Sequence, residues 1–151
     1  MWDWLDALRG SLGGGDETSA FDGTWLWAVD DGVWRVIDPA TGNVVHRPFL
    51  GGWTPAFGDA LGYRIEPDYT QVTESARGGA LTAFEPRTLD VRWTRRLSET
   101  FNTTPLVVDG VVYAATASGV VMALDPATGA TKATIGTGET LPKPSQMHYP
   151  V

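Results

Sequence analysis

Three windows of eleven residues carry one pattern and decide the fold. Residues 32–42 read GVWRVIDPATG, residues 79–89 read GALTAFEPRTL, and residues 119–129 read GVVMALDPATG. The first and third windows are identical at seven of eleven positions, and the windows start 47 and 40 residues apart. A period of this length indicates a repeated supersecondary unit.

Each repeat has the pattern of four antiparallel strands joined by tight turns. Asp109 and Gly110 supply the positive φ angles that a two-residue hairpin turn needs. Four-stranded units at this spacing are the blades of a β-propeller, so we predict an all-β fold: a partial propeller of about three four-stranded blades. The strands predicted for the third repeat are 104–108, 111–116, 120–124 and 130–135.

The hairpin between the third and fourth strands of a blade has a sequence of its own. In the first repeat Asp38 begins an Asp-Pro-Ala-Thr-Gly turn that ends at Gly42, and in the third repeat Asp125 and Gly129 bracket the same five residues. The aspartate side chain can accept hydrogen bonds from turn amides, and the glycine can take the left-handed conformation. We therefore predict positive φ at both glycines.

The windows also match an eleven-residue tryptophan-docking pattern, Ala-x-Asp-x-x-x-Gly-x-x-x-Trp. The matching residues are Ala83, Glu85, Leu89 and Trp93 in the second repeat, Ala123, Asp125, Gly129 and Ala133 in the third, and Val36, Asp38, Gly42 and His46 in the first. Over about residues 24–135 the chain resembles the quinoprotein-like (PQQ-repeat) β-propeller family. This resemblance implies that each blade docks onto the next. The family includes both enzymes and assembly scaffolds. Since one repeat alone keeps the tryptophan, we expect weaker stacking between blades.

The predicted organisation leaves both ends of the arc open, where we expect residues such as Trp25, Trp27, Val111 and Tyr113 to need cover on both sides of their sheets. We place a short amphipathic docking helix at residues 1–10, a Gly-rich linker at 11–20, blades at about 21–50, 51–100 and 101–136, and an extension or exchanged strand at 137–151. The first recognisable strand of blade one is 25–29, so we expect that blade to lack its innermost strand. Residues 141–151 could supply that strand to a second chain and close six blades. The alternatives are an open arc covered by another protein, or a piece of a longer chain.

Several apolar residues outside the repeats are candidates for binding a protein partner. Residues 1–10 carry an apolar stripe at helical spacing, and about nine residues are too few for a stable free helix. This segment either docks into a partner or folds back onto its own domain. The candidate partner-binding residues are Trp2, Trp4, Leu5, Leu8, Trp53, Met147 and Tyr149.

The amino-acid composition excludes several kinds of site and disfavours one class of partner. The chain of 151 residues has no cysteine, which excludes disulfides, thiolate zinc sites and cysteine nucleophiles. Its 11 basic and 18 acidic residues give a net charge of −7, which disfavours nucleic acid as a partner. We find no stretch long enough for a membrane span and no signal-peptide pattern. We therefore expect a cytoplasmic protein or one incorporated into a particle, for example a virion.

No motif for catalysis, metal or a cofactor stands out. His46 takes the position of a docking tryptophan, and His148 has no ligand constellation beside it in sequence. We predict a non-enzymatic structural or interaction module that forms a homo-oligomer or joins a hetero-assembly. The alternative is a carbohydrate- or receptor-binding module that uses Trp53 and aromatic residues of 63–77. The least favoured hypothesis is a fragment of a quinone-dependent dehydrogenase, because the quinone cofactor would need a complete ring of blades.

Overall fold

The protein is a three-bladed arc of antiparallel sheets. The computed structural model describes residues 19–30, 33–46, 48, 54–67, 79–97, 104–116 and 118–136. In this part of the chain twelve strands form three four-stranded sheets, each ordered as in sequence. Blade one comprises β1 (Ser19–Phe21), β2 (Leu26–Asp30), β3 (Val33–Ile37) and β4 (Val44–His46). Blade two comprises β5 (Ala56–Phe57), β6 (Gly62–Pro67), β7 (Gly79–Phe84) and β8 (Val91–Leu97). Blade three comprises β9 (Leu106–Val108), β10 (Val111–Ala115), β11 (Val120–Leu124) and β12 (Thr131–Gly136).

Blade one has its innermost strand, so the prediction that it lacks one is wrong. Strand β1 pairs antiparallel with β2, with Ser19 opposite Ala28 and Phe21 opposite Leu26. The predicted linker 11–20 therefore ends too late, because Ser19 already belongs to the sheet. The Asp22 carboxylate stabilises the turn that follows β1, since its Oδ1 accepts hydrogen bonds from the amide of Thr24 at 2.8 Å and of Trp25 at 2.7 Å.

Strand registers show that the three blades are equivalent, position by position. Trp27 lies opposite Val36 in blade one, and Tyr63 lies opposite Ala83 in blade two. Tyr113 occupies the same place in blade three, opposite Ala123. We call the side of each sheet that carries Trp27, Tyr63 or Tyr113 its forward face, and the opposite side its back face.

The hydrophobic core lies between blades, in two clusters. The forward face of blade one packs on the back face of blade two through Trp27, Trp34, Val36 and Phe84. The ring of Trp27 is fully buried, 5.1 Å from the ring of Phe57 and 5.7 Å from that of Phe84. The forward face of blade two packs on the back face of blade three in the second cluster. Its buried members are Tyr63, Ile65, Leu81, Ala83, Val112, Ala114, Met122 and Leu124.

Blade two is the centre of the molecule, because both faces of its sheet are covered. Every residue of β7 is buried, which is the pattern of a strand with neighbours on each side. The segment between the end of β6 and the start of β7, residues 68–78, lies outside the described residues. Tyr63 lies in β6 and is buried, so it is not available to stack on a sugar.

The turn predictions are confirmed where the structure describes the turns. Gly42 and Gly129 have φ of 73° and 71°. Asp109 and Gly110 have φ of 48° and 70°, as a two-residue turn with two left-handed residues requires. The N-terminal helix predicted at 1–10 and the extension predicted at 137–151 lie outside the described residues.

Candidate interaction surfaces

The turn at 125–129 of blade three receives the docking tryptophan of blade two. The indole Nε1 of Trp93 donates a hydrogen bond to the carbonyl oxygen of Pro126 at 2.9 Å. The hydroxyl of Tyr63 donates to the same oxygen at 3.2 Å, and Nη1 of Arg95 donates to the carbonyl of Gly129 at 2.8 Å. Three side chains of blade two thus bond to backbone carbonyls of one turn.

Gly129 leaves the space that the indole fills. A Cβ atom at this position would lie 2.8 Å from Cε3 of Trp93, closer than side chains approach one another. The residue is buried, and its positive φ also favours glycine. Trp93 and Gly129 therefore form a matched pair across the boundary between blades.

The Asp125 carboxylate holds this turn in shape. Its Oδ1 accepts hydrogen bonds from the amides of Ala127 and Thr128 and from the hydroxyl of Thr128, each at 3.0 Å. The hydrogen bond from the Thr128 hydroxyl is the largest cause that lowers the pKa of Asp125 below its ordinary value, and Lys132 also contributes. Asp38 acts similarly in blade one, where its carboxylate accepts from the Ala40 amide at 2.8 Å.

The boundary between blades one and two is built differently. His46 stands opposite Val36 as Trp93 stands opposite Ala83, and Leu89 stands where blade three has Gly129. Leu89 keeps the left-handed conformation, with φ of 66°, and its side chain packs against the core cluster. The preceding blade has no docking tryptophan at this boundary, and a leucine therefore occupies the position equivalent to Gly129.

An arginine ties these two blades together on the outside of the core. The guanidinium of Arg87 lies 3.9 Å from the centre of the Trp25 ring, in cation–π geometry. Nη1 of Arg87 is also 4.0 Å from Oδ2 of Asp22, and the same Oδ2 accepts a hydrogen bond from Nε1 of Trp27 at 2.9 Å. His46 contacts Trp25 edge-on, with 5.8 Å between ring centres. Sequence reasoning missed this contact, because Arg87 has no signature beyond a place in a turn.

The two ends of the arc expose apolar sheet faces. The forward face of blade three carries Leu106 at 58% exposure and Ile135 at 54%. The back face of blade one carries Phe21 at 57% and Val44 at 37%. We expected Trp25, Trp27, Val111 and Tyr113 to need cover at the ends. For Trp27 this is wrong, because it lies on the forward face of blade one, under blade two. Val111 and Tyr113 lie on the open face and are half-buried.

The structure brings together the turn residues predicted from sequence, in two turns that are closed by the same hydrogen bond. Asp38 and Gly42 form one turn, closed by a hydrogen bond from the Gly42 amide to the Asp38 carbonyl at 2.8 Å. Asp125 and Gly129 form the other turn with the same bond at 2.8 Å. The predicted partner-binding residues Trp2, Trp4, Leu5, Leu8, Trp53, Met147 and Tyr149 all lie outside the described residues.

A depression of about 800 Å³ lies beside the innermost strands. Its lining residues include Asp22, Asp59 and Asp109, and none of the described lining residues is basic. Pyrroloquinoline quinone carries carboxylates that need cationic partners, so these residues do not fit that cofactor.

Among the described residues, no group of three or more His, Asp or Glu side chains is placed to hold a metal ion. No helix in that part of the chain is long and apolar enough to span a membrane.

The repeats place the chain in a known family. A family model described as outer membrane protein assembly factor BamB, one of the PQQ-repeat families, matches residues 29–134, which is more than half of the chain. The chain belongs to this PQQ-repeat β-propeller family. No curated protein matches it.

Solved structures share the fold at low sequence identity. BamB from Moraxella catarrhalis aligns with a TM-score of 0.60 at 17% identity, over 81% of this chain and 34% of that one. A quinohemoprotein alcohol dehydrogenase, ADHIIG from Pseudomonas putida HK5, aligns at 0.57 and 15%, over 82% and 31%. Glutaminyl cyclase from Myxococcus xanthus aligns at 0.52 and 22%, over 80% and 52%. The chain therefore spans between about a third and about half of these proteins, which include an assembly factor and enzymes.

Proposed function

We propose that this chain is a non-enzymatic protein-interaction module and works as a subunit of a larger assembly. The observation that carries this proposal is the pair of open, apolar end faces. Leu106, Ile135 and Phe21 are each more than half exposed on sheet faces whose equivalents elsewhere in the molecule are buried. Apolar sheet faces left open in this way are typical of surfaces that bind another protein.

The side-chain chemistry supports the same function. Asp38 and Asp125 use their carboxylates to hold turns, and the acidic depression beside the innermost strands does not suit the quinone of the related dehydrogenases. The family description names an assembly factor, which fits a module that binds proteins. As the specific setting we propose a virion or tail-like particle, in which neighbouring subunits would bury both ends.

The test is the state of the chain in the cells that produce it. The chain is purified gently through a terminal tag, and its native mass is measured by size exclusion with light scattering. We expect a particle far larger than the 16.2 kDa chain, with fixed stoichiometry and neighbours cross-linked to Lys132 on β12. A free chain, or a particle that holds this chain alone in one or two copies, would contradict the proposal.

A matched assay addresses enzymatic activity. The purified chain is supplied with pyrroloquinoline quinone and Ca²⁺, and reduction of a redox dye is followed with primary alcohols as substrates. We expect no turnover above that of free quinone, and no quinone retained after gel filtration. Turnover that scales with the amount of chain would overturn the non-enzymatic part of the proposal.

A further inference from the structure

The forward face of blade three repeats the forward face of blade two. The latter face is buried against blade three. On the former, the edge-strand residues Leu106 and Ile135 are exposed, Tyr113 and Val121 are half-buried, and the small Ala123 between them is buried. Strand registers define which positions correspond. The corresponding pairs are Tyr113 with Tyr63, Ala123 with Ala83, Val121 with Leu81, and Ala115 with Ile65. Half of these pairs are identical residues, and the others exchange one aliphatic side chain for a smaller one.

The back face of blade one repeats the back face of blade three in the same way. The corresponding pairs are Leu26 with Val112, Ala28 with Ala114, Ile37 with Leu124, and Gly42 with Gly129. The back face of blade two differs from both, since it has Gly62, Phe84 and Leu89 at three of these positions. The two open faces are therefore the two halves of a boundary like that between blades two and three, present in one molecule but at opposite ends.

We propose that the forward face of blade three binds the back face of blade one in a second copy of this chain. The contact is made twice, so two copies close a ring of six blades. Six is within the range of propellers that close, and a head-to-tail contact that repeats by rotation gives a closed ring. This inference rests on the proposed interaction function and names one partner for it.

The contact needs no exchange of strands. Blade one already has four strands, so a second chain adds a whole blade face rather than a missing strand. In the boundary between blades two and three, the Tyr63 hydroxyl donates to the carbonyl of Pro126. The corresponding bond between copies runs from the hydroxyl of Tyr113 to the carbonyl of Pro39, in the turn that begins at Asp38.

Three positions make this contact weaker than the internal one. Ala133 stands where blade two has Trp93, and Ile135 stands where it has Arg95, so no indole covers Gly42. Arg35 corresponds to Met122 on the receiving face and is half-buried, so a second copy meets a charged side chain where the internal boundary has an apolar one. We therefore expect dimers that form reversibly and depend on concentration.

The first test disrupts the contact in the isolated full chain. Sedimentation velocity over a range of concentrations should show a species of twice the chain mass. Val121→Arg places a charge in the centre of the open forward face and should abolish that species. Thr134→Arg is the matched control, because Thr134 is an exposed residue of the neighbouring strand on the opposite side of the same sheet. It should leave the dimer unchanged, and circular dichroism should show that both variants keep their sheets.

The second test strengthens the contact and does not depend on a damaging substitution. Ala133→Trp supplies the missing indole opposite Gly42 and should lower the dimer dissociation constant by about tenfold or more, which corresponds to about 1.4 kcal/mol. Adding Gly42→Ala should remove this gain, because a Cβ at the equivalent Gly129 would meet the Trp93 ring. Gly42→Ala alone, opposite Ala133, should change the dissociation constant little.

The outcomes separate this inference from the proposed function. A chain that stays monomeric at all concentrations, with Ala133→Trp giving no dimer, overturns the inference; the open faces are then covered by blades of other proteins. If that chain still purifies from its cells in a large particle, the proposed function stands. A reversible dimer that Val121→Arg abolishes and Ala133→Trp tightens supports the inference. If the cells hold the chain only as such free dimers, the inference stands and the proposed function fails.

Discussion

Gly129 satisfies two separate requirements, one of its own backbone and one of a neighbouring blade. Its φ of 71° is left-handed, which costs a residue with a side chain about 1–2 kcal/mol. Its missing side chain also makes room for the ring of Trp93. Gly110 shares the first requirement, with φ of 70°, but no atom lies within 4 Å of where its Cβ would be. The two glycines therefore separate backbone strain from packing.

We predict that Gly129→Ala lowers the free energy of unfolding by about 2–5 kcal/mol, and that Gly110→Ala lowers it by about 1–2 kcal/mol. The difference is the cost of moving Trp93, since overpacking typically costs about 1–3 kcal/mol. Urea unfolding followed by tryptophan fluorescence measures both values. Equal losses in the two variants would show that Trp93 does not rest on Gly129.

Tyr63 gives the fold a sensitivity to alkaline pH. Burial is the largest cause that raises its pKa above the ordinary 10.0, and the charges of Asp125 and Asp59 raise it further. The neutral hydroxyl is therefore favoured in the folded chain, and its contribution to stability is complete below pH 10. That contribution is lost as the pH rises from 10 through the folded pKa, because the unfolded tyrosine ionises first.

We predict that Tyr63→Phe removes part of the loss of stability above pH 10. The variant lacks the hydrogen bond to Pro126, so its free energy of unfolding at pH 7 should be lower by about 0.5–1.5 kcal/mol. The gap to the parent chain should narrow as the pH rises past 10. Denaturant unfolding at pH 7, 9 and 10.5 measures the gap, and a gap that is constant across this range would contradict the assignment.

Sequence reasoning succeeds at single residues where the backbone alone sets the requirement. Positive φ at Gly42 and Gly129 follows from a five-residue turn, which is local. Leu89 has the same conformation without being glycine, because packing against the core of blades one and two compensates for the strain. The acceptor of Trp93 is a backbone carbonyl, which carries no sequence signature, so the docking bond could be expected only from the family resemblance.

Among the elements, the four-strand repeat was predictable and the first strand was missed. Strand β1 has three residues, and a strand this short is defined by pairing with β2 rather than by its own pattern. A local signal did exist, because an Asp-Gly pair follows β1 as one follows β9, although Asp22 and Gly23 begin a loop over residues 22–25 and not a two-residue turn. The third blade was predicted closely, since its strands alternate regularly between tight turns.

A double-mutant cycle at the boundary between blades one and two can test whether His46 and Leu89 are matched to each other as Trp93 and Gly129 are. We predict that His46→Trp alone destabilises the chain, because Leu89 occupies the space of the indole. Leu89→Gly alone also destabilises it, by removing apolar packing. Together the two changes recreate the pair formed by Trp93 and Gly129, and should recover at least about 1 kcal/mol relative to their sum. Thermal and urea unfolding of the four chains in this cycle give the coupling, and additive losses would show that the two positions do not meet.

The two ends of the arc are the places where a blade has no neighbour among the described residues. Blade two is covered on both faces, and blades one and three are each covered on one. That asymmetry could be predicted from the count of repeats, which does not close a ring. Which side of each end blade is open could not be predicted from the sequence, because it depends on strand register. The sequence pattern placed Trp27 at an end, whereas the register places it under blade two.

The binding role of the end faces can be tested by hydroxyl-radical footprinting of Leu106 and Phe21, which lie on opposite end faces. Oxidation of both is compared between the dilute isolated chain and the chain in the assembly purified from its cells. Val91 serves as the control, because it is 55% exposed on blade two, away from both ends. We predict that Leu106 and Phe21 are oxidised in the isolated chain and protected severalfold in the assembly, with Val91 unchanged. Equal oxidation of Leu106 and Phe21 in both states would contradict the claim that the end faces are the interaction surfaces.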